Sequence, residues 1–351
     1  MKFVMRSFQP PDDIPEIARA LCPEPVRAIA EVRRGNNSRI FQVDTRGGRY
    51  ALKKYPATDS RNRLEAEVGA LRFFERNAVG RTPRVVAVSP ELRYALFTWI
   101  EGEPVDAVSD ADIGEFAAFQ IALDAAIDER ARTEIGEASE ACLSGRHIIS
   151  QIERRYARLE AVKHDVADFA SFFDDILVPS LHRFAADAHE AYRRLGLDFA
   201  GEIPAECRTL IPSDLGAHNA LRGADGSLYF LDFEYFGWDD PVTSIANFMM
   251  HPGMRLSEHQ KERYQHDLLR HFRRHVEADR LPALMPLYAL RWCAIILGEL
   301  LPERWQHRMQ SNPDMGNWDQ VRREQINKAR TLMSRVRPWS VASAPLKSSA
   351  D

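Results

Sequence analysis

Asp214, Asn219 and Asp232 are the residues of this 351-residue chain whose types and spacing suggest chemistry. All three lie in one stretch, "IPSDLGAHNALRGADGSLYFLDFEY", from Ile211 to Tyr235. Asp232 closes an apolar run, "SLYFL", entered through the turn signal Asp225-Gly226. A carboxylate next to a buried strand is costly unless a cation pairs with it. Mg2+ suits the position, because it prefers oxygen ligands and often takes only one or two from protein, leaving the rest to water and phosphates. Asn219 offers a second oxygen from the preceding loop. Asp214, earlier in that loop, can accept a proton from a hydroxyl nucleophile while the metal holds a phosphate. The plainer alternative is a set of polar loop residues that cap turns.

These side chains need elements to position them. Up to about Ile100 the chain reads as short strands with one helix. "VRAIAEVRRG", "SRIFQVDTRG" and "GRYALKKYP" are separated by Gly35-Asn36-Asn37 and Gly47-Gly48, as hairpins would be. Asp59 or Ser60 caps a helix carrying Leu64, Val68, Leu71 and Phe74, with Gly80 past its end. Two further strands, "RVVAVSP" and "LRYALFTWIEG", follow. From about Asp110 helices dominate. They are expected over 110–128, 150–162, 170–195 (kinked or split at Pro179), 241–250, 257–280, 286–301 and 319–336. The expected fold class is α+β and bilobal, an antiparallel sheet lobe with one helix over 1–100 and a larger, mostly helical lobe over 101–338. A loose tail covers 339–351. A cleft between two lobes is a common ligand site.

Composition narrows the partners. A net charge of −4 argues against a general nucleic-acid binder. Cys22, Cys142, Cys207 and Cys293 are far apart and form no zinc spacing or disulfide framework, which fits a reducing cytoplasm. The N-terminus has no secretory pattern. The apolar run from Leu284 to Leu301 is broken by Pro286, Arg291 and Glu299, so it reads as a buried helix and no membrane partner is expected. His271 and His275 lie four apart but lack the Glu of a zinc-protease motif; a solvated basic face is expected there. The sequence does not give an oligomeric state.

"SDLGAHNAL…YFLDFEYFGWDDP" resembles the aminoglycoside phosphotransferase and choline kinase family, on the protein-kinase-like fold. The resemblance spans about residues 30–300, with the specific motifs between Ser213 and Pro241. It implies that Asp214 is the catalytic Asp, that Asn219 and Asp232 bind Mg2+, and that Asp240-Pro241 follows the metal segment. It also implies a strand Lys for the nucleotide phosphates, oriented by a helix Glu. In "RYALKKY" alternation puts Ala51 and Lys53 on one face, Leu52 and Lys54 on the other, and the family pattern A-x-K selects Lys53. Glu67 sits beside the apolar stripe of its helix, whereas Glu65 points away, so Glu67 is expected as the partner of Lys53. Gly35 to Ser38 stand where backbone N–H groups and a hydroxyl would meet phosphates. "FTWIEGEP" stands at the family's inter-lobe connection, where backbone around Thr98 and Ile100 should bind adenine.

The chain departs from the family pattern in two places, at three residues. Pro212 and Ser213 replace a His and a Gly or Asn before the catalytic Asp, and Ser244 stands where an Asp often follows the D-P element. Both are braces of the catalytic loop. The expected activity is ATP- and Mg2+-dependent transfer of the γ-phosphate to a hydroxyl of a small molecule, whether sugar, aminoglycoside-like or amino alcohol. Glu234 and Trp238 are candidates for contacting that acceptor. The alternatives are a non-catalytic nucleotide-binding module and, less favoured, a protein kinase. Against the last, no activation loop separates Asp232 from "FGWDDP".

Overall fold

Alternating apolar and polar residues in the first hundred positions build five strands, β1 (Ala28–Val32), β2 (Arg39–Asp44), β3 (Arg49–Lys54), β4 (Val85–Ser89) and β5 (Tyr94–Thr98). They form one sheet in the order β1-β2-β3-β5-β4, with every neighbouring pair antiparallel. Inward side chains Phe41, Val43, Leu52, Tyr94 and Leu96 are buried, and helix α1 (Ile14–Leu21) packs Ala18 onto them. The computed structural model describes residues 13–32, 38–56, 59–166, 168–274, 276–311 and 317–336. Gly35, His275 and the tail 339–351 therefore lie outside the described residues.

Helix α2 (Arg63–Arg76) begins at Asp59, whose carboxylate accepts the Arg61 and Arg63 N–H groups at 3.1 and 2.7 Å. The chain packs as two compact units, Met1–Leu64 with Pro83–Ile100 and Glu65–Thr82 with Glu101–Asp351. Most of α2, expected with the sheet, thus clusters with the second unit. The reason is its aromatic face: Phe74 meets Phe119, Phe233 and Phe236 at 6.0, 4.8 and 5.2 Å, edge to face.

The second unit is built on helices α3 (Asp110–Ala125), α4 (Glu129–Glu134), α5 (Gly145–Glu160), α6 (Phe169–Phe172), α7 (Val178–Leu195), α8 (Pro241–Met250), α9 (Glu258–Phe272), α10 (Arg280–Leu297), α11 (Pro302–Ser311) and α12 (Trp318–Ser334). A π-turn over Phe173–Leu177 joins α6 to α7. The expected break at Pro179 is therefore a wide turn just ahead of the proline, which sits in the first turn of α7, where its missing N–H costs little. Helix α10 starts six residues before the expected Pro286 and carries that proline inside. Its side chains are buried nearly all round, among α5, α7, α8 and α12, and this packing offsets the lost hydrogen bond. By length and composition α10 would qualify as a membrane span, but 78% of that window is buried within the protein.

Short strands carry the loop of interest. β6 (Glu103–Pro104), β8 (Ala220–Arg222) and β9 (Leu228–Phe230) form one small sheet, and β7 (Thr209–Ile211) pairs with β10 (Gly237–Asp239). The β8–β9 hairpin turns at Asp225-Gly226, where Gly226 adopts a φ of 83° that a side chain would disfavour. Arg222 clamps this hairpin to α3 by donating to both oxygens of buried Asp112 at 3.0 and 2.9 Å.

Candidate active site

The loop between β7 and β8 holds Asp214 and Asn219. The Asn219 amide donates to the Asp214 backbone carbonyl at 3.0 Å and to Asp214 Oδ2 at 3.3 Å. With its N–H2 so engaged, the Asn219 side-chain oxygen is the group turned to other partners. The Asn219 backbone carbonyl in turn accepts the Leu231 N–H at 2.8 Å, which continues the β8–β9 ladder and brings Asp232 beside Asn219. Asp232 itself is held at a φ of 64°, a left-handed conformation that a carboxylate residue adopts at some cost where geometry demands it.

Asp214 has a third neighbour that its sequence position did not announce. His218 Nε2 lies 3.1 Å from Asp214 Oδ1, and His251 Nε2, from the end of α8, lies 3.8 Å from the same oxygen. The two imidazoles stack, with centroids 4.3 Å apart and planes within 6°. His251 also meets Trp292 edge to face at 4.8 Å. Burial pushes the Asp214 carboxyl up, but the hydrogen bond and charge of His218, with His251 and Asn219, pull harder and hold it below the usual carboxylate value. Burial, aided by His218 and opposed by Asp214, lowers His251 to about 4. Asp214 is thus an ionised acceptor at neutral pH, about one-third open to solvent.

Both departures from the family pattern have local substitutes. The Ser213 hydroxyl donates to the Tyr235 carbonyl at 2.9 Å, tying the residue before Asp214 to the segment after Asp232. The Ser139 N–H reaches the same carbonyl at 3.2 Å. Ser244 donates to buried Gln120 at 3.0 Å, and Gln120 donates to the Leu210 carbonyl at 2.9 Å. A Ser–Gln relay from α8 through α3 therefore supports β7, just ahead of Asp214.

Glu67, Asp232 and Glu234 bring carboxylate oxygens within 4.8 Å of one another. Glu67 is 4% and Glu234 2% exposed. Three carboxylates this close repel unless cations share their charge, and an all-oxygen set suits a hard ion such as Mg2+. The residues present therefore fit the metal. Glu234, expected near the acceptor, lies in this buried carboxylate group. Trp238, the other acceptor candidate, is buried in β10 opposite Leu210 with the Arg132 guanidinium 5.5 Å over its ring, so it packs.

In the first unit Lys53 is 4% exposed on β3, its Nζ 5.1 Å from the Tyr55 ring centre. Lys54 is half-buried, with burial lowering its ammonium. Ser38 precedes β2 and is half-buried. The Thr98 N–H is spent on the Arg84 carbonyl at 2.9 Å and the Trp99 N–H on Arg49 at 3.4 Å, so those two donors serve the sheet, and Ile100 is the expected adenine-binding position left outside it. The basic face expected at His271 differs as well: its ring nitrogen lies 2.7 Å from Asp124.

The reading from sequence missed His251, Gln120 and the Ser213 hydroxyl as parts of this site. His251 is 37 positions from Asp214 and arrives only through the length of α8. Its one sequence signal is that a helix begun at Asp240-Pro241 has to end near it.

The model of the phosphotransferase enzyme family matches residues 28–284, more than half of the chain. No curated protein sequence matches. Among solved structures the chain is similar to spectinomycin phosphotransferase in complex with ADP and spectinomycin, with a TM-score of 0.60, 11% identity, and 91% of this chain and 99% of that one covered. It is similar to the choline kinase of Streptococcus pneumoniae, with a TM-score of 0.56, 16% identity, and coverage of 91% and 98%. For the ethanolamine kinase of Plasmodium vivax the TM-score is 0.53 at 12% identity, with coverage of 88% and 84%. At such identities these likenesses speak for the fold, which is protein-kinase-like. The family match over residues 28–284, on the segment that holds Asp214, Asn219 and Asp232, places the chain in the phosphotransferase enzyme family.

Proposed function

We propose that the protein transfers the γ-phosphoryl group of ATP to a hydroxyl of a small molecule. The observation that carries this reading is the hydrogen-bonded unit of Asp214 and Asn219, laddered through Leu231 to Asp232. Asp214 is the base: it is ionised, oriented from two sides and partly open, so it can align an alcohol and take its proton. Asn219 and Asp232 would hold Mg2+, with Glu67 and Glu234 adding negative charge beside it. When bound, the ion neutralises charge on the phosphates. Lys53 supplies charge for the phosphates, and the backbone at Ile100 meets adenine. Gly35 and Ser38 belong to the proposed phosphate-covering segment.

The acceptor is a small molecule with a free hydroxyl. The similar structures named above act on spectinomycin, choline and ethanolamine, by their names, which sets the classes to try. The non-catalytic reading drew on Pro212 and Ser244. With Ser213–Tyr235 and Ser244–Gln120–Leu210 in their place, it has no observation of its own.

The test is ADP release from ATP and Mg2+ against a panel of sugars, aminoglycosides and amino alcohols, with product phosphorylation followed by mass. Asp214→Ala should lower kcat by about 10²–10⁴-fold on the best acceptor, with nucleotide affinity retained. Unimpaired turnover in that variant would remove Asp214 from its role. Nucleotide binding without any phosphorylated product across the panel would remove the proposed function.

A further inference from the structure

Resting on that function, we propose that His218 and His251 act as positioning residues, a stacked imidazole pair that fixes the rotation of the Asp214 carboxylate for the incoming hydroxyl. His218 donates from Nε2 to Asp214 Oδ1 at 3.1 Å while Asn219 donates to Oδ2 at 3.3 Å. The two carboxylate oxygens are thus held by different donors, so the group cannot turn without breaking one of them. Each oxygen retains a second lone pair, through which the substrate hydroxyl can be accepted.

The His218 ring is itself fixed on its other sides. A Cβ at Gly216 would come within 2.7 Å of His218 Cε1 and 2.8 Å of Nδ1, so the far edge of the ring lies against bare backbone. Met254 crowds the same spot at 3.0 Å and accepts the Ala217 N–H through its sulfur at 3.1 Å. His251 covers the ring face at 4.3 Å. The Nδ1 of His251 accepts the Gly253 N–H at 3.1 Å, which leaves the proton of the neutral ring on Nε2, turned toward Asp214 Oδ1 at 3.8 Å. That distance is beyond a hydrogen bond, so His251 acts through the stack and at longer range, backed by Trp292.

Asp214, His218 and His251 also have the composition of a zinc site, with donor atoms within 4.8 Å of one another. The ring planes decide between the two uses. A metal shared by two imidazoles lies in the plane of each, and planes 6° apart in a 4.3 Å stack do not converge on a common point. The arrangement therefore suits two rings supporting one carboxylate.

The experiment pairs kinetics with a measurement that does not need turnover. With ATP and the best acceptor of the panel, His218→Ala should lower kcat about 10- to 100-fold, the scale of a misaligned reacting group, with KM for ATP unchanged. His218→Gln, which keeps an N–H donor, should recover part of the loss, and so should added imidazole on His218→Ala. His251→Ala should lose less, and His251→Phe, which keeps the stack, should lose least. Independently, 15N-labelled histidine should give a solvent-protected Nε2–H signal that disappears in His218→Ala and shifts in Asp214→Ala. The proposal is overturned if His218→Ala stays within twofold of the parent kcat. It is also overturned if no such ring N–H signal exists, or if stoichiometric Zn2+ binds and the binding is lost in His251→Ala. If the signal behaves as expected but no acceptor is phosphorylated, the held carboxylate stands and the kinase function falls.

Discussion

Ser213 and Ser244 show how single side chains can replace a larger brace. A His before the base and an Asp after the D-P element would each add an ionisable group under the loop. Here Pro212 stands in place of the His and Ser244 in place of the Asp, and the neutral hydroxyls of Ser213 and Ser244 each donate to one fixed oxygen, Tyr235 O and Gln120 Oε1. Ser213 holds a φ of 66° to do so. Ser244 carries the longer chain of consequence, because Gln120 is fully buried and its amide supports the Leu210 carbonyl. Ser244→Ala removes the donor from a buried acceptor, which costs about 1–3 kcal/mol. We expect urea unfolding to show a lower midpoint with an unchanged slope, and kcat to fall less than for Asp214→Ala because Asp214 and its two donors remain. A midpoint equal to the parent's would show that Gln120 finds another donor.

At the scale of elements, the segment after Asp232 is fixed by a buried ion pair. Asp240 caps α8 by accepting the Val242 N–H at 2.9 Å, and its other oxygen pairs with Arg280 at the start of α10. Arg280 also donates to the Tyr192 hydroxyl at 3.1 Å from α7. One guanidinium therefore joins α7, α8 and α10 behind the site. Arg280→Met leaves Asp240 buried without its cation, and such a break costs about 3–5 kcal/mol. Adding Asp240→Asn removes the orphaned charge and should return part of the stability in denaturant titrations; a double variant no better than the single one would argue against the pair. Asp240-Pro241 was legible in the sequence as a helix start, and α8 has the bounds that the motif implies. Arg280 was not legible, since nothing in "EADRLPALMP" marks which Arg turns inward. The same limit explains the other differences. The strands and α2 were readable because their periodicity is local. α4, with six residues, is too short to show a period. α10 lost its first turns to the weight given to Pro286, which only surrounding packing could overrule. His251 reached Asp214 through tertiary structure alone.

For the whole molecule, two buried groups with opposed shifts set how stability responds to pH. Asp239 is buried in β10, with its carboxyl raised from 3.8 to about 7. Burial is the main cause, reinforced by Asp240 and opposed by Arg291 and by the Cys142 and Asp240 N–H groups. Its Oδ1 accepts from Cys142 N, Asp240 N and the Thr243 hydroxyl at 2.8, 2.7 and 3.2 Å, so the proton belongs on Oδ2. Between pH 3.8 and about 7 the folded chain keeps a proton here that the unfolded chain has lost. This contribution is complete below 3.8 and gone above about 7. His251 runs the other way. Its folded value of about 4 lies below 6.5, so over that window the unfolded chain binds the extra proton and stability rises with pH. The two slopes offset each other up to pH 6.5, and above it only the loss from Asp239 remains. Unfolding free energy of the parent should therefore be nearly flat in these two groups from about 4 to 6.5 and fall on the way past 7, by at most about 1.4 kcal/mol per pH unit for one proton. Asp239→Asn keeps the accepting oxygen and cannot ionise. It should rise with pH through the His251 window and then stay level, so that urea titrations from pH 5 to 8 give diverging curves for the two proteins. Parallel curves would mean that Asp239 is already ionised in the folded chain, held by Arg291 more strongly than burial opposes it.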